Sequence, residues 1–139
     1  MEKLIVDYTA VAVNTGGRKG HVRTDDGMLD FDVAMPKEIG GDGGKTNPEQ
    51  LFAAGYAACF GGALAAVAGK TSLRDSEIKA KVHLGHYGPD SFGLAVDIEV
   101  KIPHAESLEH AQQLVDAAHQ VCPYSKATRG NIEVNVKAV

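Results

Sequence analysis

Two cysteines, Cys59 and Cys122, are the only thiols in a chain of 139 residues, and of all its side chains they are best suited to covalent chemistry. A thiolate is a nucleophile, and it can be oxidised to a sulfenic acid that a second thiol converts to a disulfide. Cys59 lies in Ala-Ala-Cys-Phe and Cys122 opens Cys-Pro-Tyr-Ser, each on an apolar stretch of predicted helix. Taken singly, a free cysteine on such a surface reads first as a small buried hydrophobe. The pairing changes this, because one cysteine falls on each of two apolar helices that should pack together, as an attacking and a resolving thiol require. A reactive thiol, with an ordinary pKa of about 8.5 that burial raises, also needs a positive neighbour. The arginines are Arg18, Arg23, Arg74 and Arg129. Arg18, on a Gly-flanked turn, could reach inward or stand as a solvated hairpin tip. Glu49, at a helix start, reads equally well as a surface acid matched to the helix dipole.

Other motifs carry less. Residues 40–46, Gly-Gly-Asp-Gly-Gly-Lys-Thr, end like a phosphate-binding loop, but Ile39 stands where the first glycine is required and Pro48 removes a helix-start N–H. The segment 36–46 therefore reads as a flexible Gly-rich loop, a candidate lid. Of the six histidines, His83 and His86 point to opposite faces of a strand, while His104, His110 and His119 have no cysteine at zinc spacing. They read as surface or structural residues, with no metal site and no bound cofactor expected.

The balance of 14 Lys+Arg against 18 Asp+Glu, net charge −4, comes without any basic run and argues against a nucleic-acid partner. The most apolar helical stretch, rich in Gly and Ala, reads as falling short of a membrane span, and the N-terminus lacks the apolar core of a signal peptide. The expectation is a soluble, cytoplasmic, single-domain protein over 1–139. In a reducing compartment a cysteine pair is more often catalytic or metal-binding than a staple.

The elements that must position these residues follow from periodicity. Residues 3–13 are rich in Val, Ile and Tyr, and a hairpin turn is expected at Asp25-Asp26-Gly27. A helix should start at Asn47-Pro48-Glu49, run through Leu-Phe-Ala-Ala-Gly-Tyr-Ala-Ala-Cys-Phe, and stop near Gly69. Being apolar nearly all round, it should be central, packed closely on another element or on its own copy in a dimer. Strands are expected around 78–84 and 92–102, then a helix from Ser107 disturbed by Pro123, then a closing strand around 132–136. The order implies an α+β fold with antiparallel sheets covering two helices.

The segments around the cysteines resemble those of the organic hydroperoxide resistance proteins, within the wider family of OsmC-like fold that includes the osmotically inducible proteins. Thr46-Asn47-Pro48-Glu49-Gln50-Leu51-Phe52-Ala53-Ala54-Gly55-Tyr56-Ala57-Ala58-Cys59-Phe60 is similar to the family's first cysteine segment. Val121-Cys122-Pro123-Tyr124-Ser125, continuing to Arg129-Gly130-Asn131-Ile132, is similar to its second. The resemblance implies an intertwined homodimer with two central helices in each protomer and active sites at the interface. It implies a thiol-dependent peroxidase in which Cys59 attacks the peroxide, Cys122 resolves, and Arg18 and Glu49 form the active-site ion pair. It also implies an external dithiol reductant, such as dihydrolipoamide or a lipoylated protein, and a role in oxidative-stress defence. Phe52, Phe60, Tyr124 and the loop 36–46 are expected from their positions to form an apolar pocket for alkyl or fatty-acid hydroperoxides. Two rivals stay open: the osmotically inducible branch with another peroxide preference, and a non-catalytic redox sensor or hydrophobic ligand-binding module.

Glu49 and Cys59 are ten residues apart, about 15 Å along a continuous helix. Sharing one small site requires that Glu49 come from a partner subunit or that the helix bend.

Overall fold

The computed structural model describes residues 1–139, which fall into two compact units, 1–48 and 49–139. In the first, β1 (Ala12–Thr15), β2 (His21–Thr24) and β3 (Asp30–Asp32) form an antiparallel sheet in that order. The strand expected over 3–13 is realised only at its end. Residues 1–11 carry no strand, and Leu4, Ile5, Val6 and Tyr8 are exposed. Backbone groups form a strand only where a neighbouring strand takes up their hydrogen bonds, and no strand of this unit pairs with that segment.

The β1–β2 connection is a short 3-10 turn, Gly17–Lys19, entered through left-handed backbone at Gly16 (φ 80°) and Gly17 (φ 63°). Only glycine adopts two such conformations in succession without strain. The turn carries Arg18. The loop 36–46, expected as a flexible Gly-rich segment, is cross-linked by main-chain hydrogen bonds. Gly41 N donates to Pro36 O (2.9 Å), Gly43 N to Met35 O (3.1 Å) and Ala34 N to Thr46 O (2.9 Å).

The second unit opens with α1 (Pro48–Val67), whose expected stop is met at Gly69 in left-handed backbone (φ 57°). The hairpin β4 (Glu77–Gly88) and β5 (Ser91–Lys101) follows, then α2 (Leu108–Val121), α3 (Pro123–Thr128) and β6 (Val134–Ala138). The sheet order is β4-β5-β6, with β5–β6 parallel rather than antiparallel. The chain leaves one end of β5 and is carried back by the two helices to its other end, which dictates a parallel partner. Alternation along β4 and β5 turns Ile78, Ala80, Val96, Ile98 and Val100 inward. The outer face is charged, with Lys81 paired to Glu99 (2.8 Å) and His83 to Asp97 (2.9 Å).

The core joins Tyr56, Phe60, Ala63 and Leu64 of α1 to Val96, Ile98 and Val100 of β5 and to Ala111, Val115 and Ala118 of α2. Burying each large apolar side chain contributes about 1.5–3 kcal/mol. Contrary to the expectation from sequence, α1 is long and apolar enough to cross a membrane by length and composition. Here it serves as a core helix on one face. Its other face, Ala54, Ala58, Gly62, Ala65 and Ala66, is exposed. Helix α2 is capped as expected, the Ser107 hydroxyl accepting from His110 N (3.0 Å). At its end Pro123 does more than disturb the helix: it starts α3, the position where proline's missing N–H costs nothing.

Candidate active site

Helix α1 presents Cys59, half-buried, at mid-length, and the corner between α2 and α3 presents Cys122, fully buried. Both are free thiols, and Cys122 Sγ lies 3.6 Å from Cys59 Sγ. Pro123 has no N–H, so the first donor of α3 belongs to Tyr124. No carbonyl of that helix can accept it, and it is directed at the Cys59 sulfur. Burial pushes the Cys59 thiol above its ordinary pKa, the Tyr124 N–H pulls it back, and Cys122 pushes it up again. A half-buried thiol in contact with a fully buried second thiol is an arrangement that two-step thiol oxidation can use.

An aromatic cluster lies beside the sulfurs. Ring centroids are 6.0 Å apart for Phe52–Tyr56, 6.1 Å for Phe52–Tyr124 and 5.6 Å for Tyr56–Tyr124. Tyr124 is 39% exposed, so the cluster has a solvent-facing edge. Gly55 admits the Tyr124 ring: a Cβ there would stand 2.8 Å from its Oη. Phe60, expected in the pocket, is instead fully buried in the core. The helical face that carries the core residues includes it.

A polar network, buried at Tyr56, Ser125 and Thr128, joins the three helices, and the sequence reading missed it. Ser125 Oγ lies 2.8 Å from Tyr56 Oη and 2.8 Å from His119 Nδ1. Thr128 Oγ1 lies 3.3 Å from Tyr56 Oη and donates to Ser125 O (3.1 Å). Arg129 Nη2 donates to His119 O (2.6 Å). Burial, and then the Arg129 charge, hold His119 below the usual histidine range. The available signal was spacing: Tyr56 precedes Cys59 by three residues, His119 precedes Cys122 by three, and Ser125 follows it by three.

Arg18 is half-buried on its turn in the first unit. Glu49 is half-buried in the first turn of α1, which continues unbroken past Cys59. The bend that would bring Glu49 back to its own Cys59 is therefore absent, and about 15 Å of helix separates them.

Comparison with known proteins agrees with the two cysteine segments. The family model described as OsmC-like protein matches residues 41–137. The organic hydroperoxide resistance protein of Xanthomonas axonopodis pv. citri is 50% identical over 133 residues, covering 93% of this chain and 92% of its own. That of Bacillus subtilis is 52% identical over 134 residues, covering 94% and 96%. A crystal structure of an organic hydroperoxide resistance protein from Legionella pneumophila superposes with a TM-score of 0.90 at 48% identity, covering 96% of this chain and 98% of that one. Matches of this extent, running through both cysteine segments and the whole fold, place the chain in the OsmC-like family, among its organic hydroperoxide resistance proteins.

Proposed function

We propose that the chain is a thiol-dependent peroxidase that reduces organic hydroperoxides to alcohols. The observation that carries this is the contact of Cys59 and Cys122, one sulfur half-buried and the other fully buried. The Cys59 thiolate attacks the outer peroxide oxygen. The O–O bond breaks, an alkoxide leaves and takes a proton as the alcohol, and Cys59 becomes a sulfenic acid. The Cys122 thiol then displaces the sulfenic hydroxyl, forming the disulfide and releasing water. A dithiol such as dihydrolipoamide, free or on a lipoylated protein, returns both thiols by exchange through a mixed disulfide. Such a reductant suits a reducing, cytoplasmic compartment.

Burial and Cys122 both oppose Cys59 ionisation, and the single Tyr124 N–H is a modest counterweight. A guanidinium is the remaining need. Arg18 fills that role, stabilising the thiolate and the charge that develops on the peroxide oxygens, with Glu49 orienting it by a bidentate contact. The apolar group of the hydroperoxide rests on Phe52 and Tyr124.

The assembly is a homodimer. Two exposed apolar features support this reading: the Ala54, Ala58, Gly62, Ala65 and Ala66 face of α1, and Leu4, Ile5, Val6 and Tyr8 in a segment without a strand partner. Soluble monomers seldom expose contiguous apolar surface of this kind. A second copy also supplies a route for Glu49 that its own unbroken helix denies.

Turnover of cumene hydroperoxide or tert-butyl hydroperoxide with dihydrolipoamide tests the activity, and sedimentation tests the dimer. Catalytic loss of hydroperoxide with matching dithiol oxidation is expected. A wild-type protein that leaves both peroxides intact overturns the reading.

A further inference from the structure

We propose that Tyr56, Ser125 and His119 are positioning residues that form a clasp holding Cys122 within reach of oxidised Cys59. The step they serve belongs to the peroxidase reading above, while the clasp itself stands in the free-thiol geometry.

Cys122 sits at a corner. Its backbone (φ −62°, ψ 123°) ends α2 and caps α3, and Pro123 supplies no N–H to stiffen the junction. The main chain anchors the corner through Cys122 N to Ala118 O and Lys126 N to Cys122 O, both 2.9 Å, and Arg129 Nη2 reaches His119 O from the end of α3. The Ser125 hydroxyl adds to these bonds. Its 2.8 Å contact with His119 Nδ1 spans the corner from α3 to α2, and its 2.8 Å contact with Tyr56 Oη ties the corner to α1. Tyr56 and Cys59 are three residues apart on α1, so they lie on neighbouring positions of one helix face. The clasp and the sulfur pair are thus two adjacent rungs between the same elements.

Proton accounting closes with neutral His119 in either tautomer, one of them having Nδ1 as acceptor. In that tautomer Tyr56 O–H donates to Ser125 Oγ and Ser125 O–H to His119 Nδ1. In the other, Nδ1–H donates to Ser125 Oγ, Ser125 O–H to Tyr56 Oη and Tyr56 O–H to Thr128 Oγ1, and in both Thr128 O–H donates to Ser125 O. Ser125 is fully buried. Satisfied buried hydrogen bonds add only modest net stability, about 0.5–1.5 kcal/mol each. Their stronger effect is to specify one arrangement of the groups they join.

Resolution needs that specificity. In the step Cys122–SH + Cys59–SOH → Cys59–S–S–Cys122 + H2O, the sulfurs must close from 3.6 Å to about 2.05 Å. Intramolecular attack is fast when the reacting atoms are held near contact and slows steeply when they drift by an ångström. Loosening the corner should therefore slow disulfide closure more than it slows peroxide reduction.

The test uses the full-length protein with Tyr56→Phe, His119→Ala and His119→Asn. In single turnovers without reductant, hydroperoxide loss is followed beside disulfide closure, with dimedone trapping Cys59 sulfenic acid. Tyr56→Phe and His119→Ala should slow closure at least tenfold more than hydroperoxide loss and raise the trapped fraction. His119→Asn, whose amide replaces the Nδ1 partner, should close within threefold of wild type. Closure driven by diamide, which needs no peroxide, should follow the same ranking. Closure at the wild-type rate in both Tyr56→Phe and His119→Ala overturns the clasp, as does equal slowing in His119→Ala and His119→Asn. A wild type that fails to consume hydroperoxide while the diamide ranking holds removes the peroxidase reading and leaves the clasp standing.

Discussion

Cys122 Sγ lies 3.6 Å from Cys59 Sγ although the two residues are 63 positions apart in the chain. One is mid-helix and half-buried, the other at a helix corner and fully buried. The asymmetry suits the different tasks proposed for them, since the half-buried sulfur is the one with access to solvent.

Removing each thiol should have a different outcome. Cys59→Ser is expected to abolish turnover. Cys122→Ser should still consume about one equivalent of hydroperoxide per chain before stalling as a sulfenic acid, because the first step needs one thiol and the second needs its partner. Peroxide titration with mass spectrometry reads both, and full turnover by Cys59→Ser would falsify the assignment.

Ionisation of Cys59 should respond to its neighbour. Cys122 is one of the groups that raise the Cys59 pKa, so Cys122→Ser should lower the midpoint of its pH–alkylation profile relative to wild type. Iodoacetamide rates at Cys59, localised by peptide mass spectrometry, check the sign. An unchanged or raised midpoint contradicts it.

Gly55 leaves room for the aromatic edge. Gly55→Ala places a methyl 2.8 Å from the Tyr124 Oη position, and relief must come from moving the ring. Overpacking of this kind costs about 1–3 kcal/mol. KM for a bulky hydroperoxide should rise several-fold more than KM for tert-butyl hydroperoxide, as steady-state kinetics would show.

Core truncation gives a stability reference. Ile98 is fully buried at the centre of β5, and Ile98→Ala should destabilise by about 2–5 kcal/mol through lost burial and the cavity left behind. Urea denaturation measures it, and a change under about 1 kcal/mol would mean that the site collapses to fill the space.

His21 reports on the first sheet. Its ring contacts Asp32 and Asp30, and these carboxylates raise its pKa above the usual histidine value. Because the folded pKa is raised, the stabilisation is complete below the unfolded value and is lost as pH rises through the folded one. NMR titration should show His21 protonating at higher pH than a free histidine, and Asp32→Asn should shift it back down.

Much of this molecule is determined locally, and that part was legible in the sequence. Alternation placed β4 and β5, Ser107 and Pro48 marked helix starts, Gly69 marked a stop, and the two cysteine segments carried the family resemblance. Each rests on backbone preference or periodicity within a few residues. Tertiary structure decided what depends on partners distant in sequence. Residues 3–13 read as a strand, but only the part from Ala12 pairs in a sheet. Pro123 proved to open α3 and thereby aim the Tyr124 N–H at Cys59. Phe60 went to the core and not to the pocket, because the helical face shared with Tyr56 and Leu64 is the one that joins the core cluster. The Tyr56–Ser125–His119 network needed three helices brought together before any of its hydrogen bonds existed. Composition and spacing determine which face of an element is apolar, and only packing determines which other face it meets.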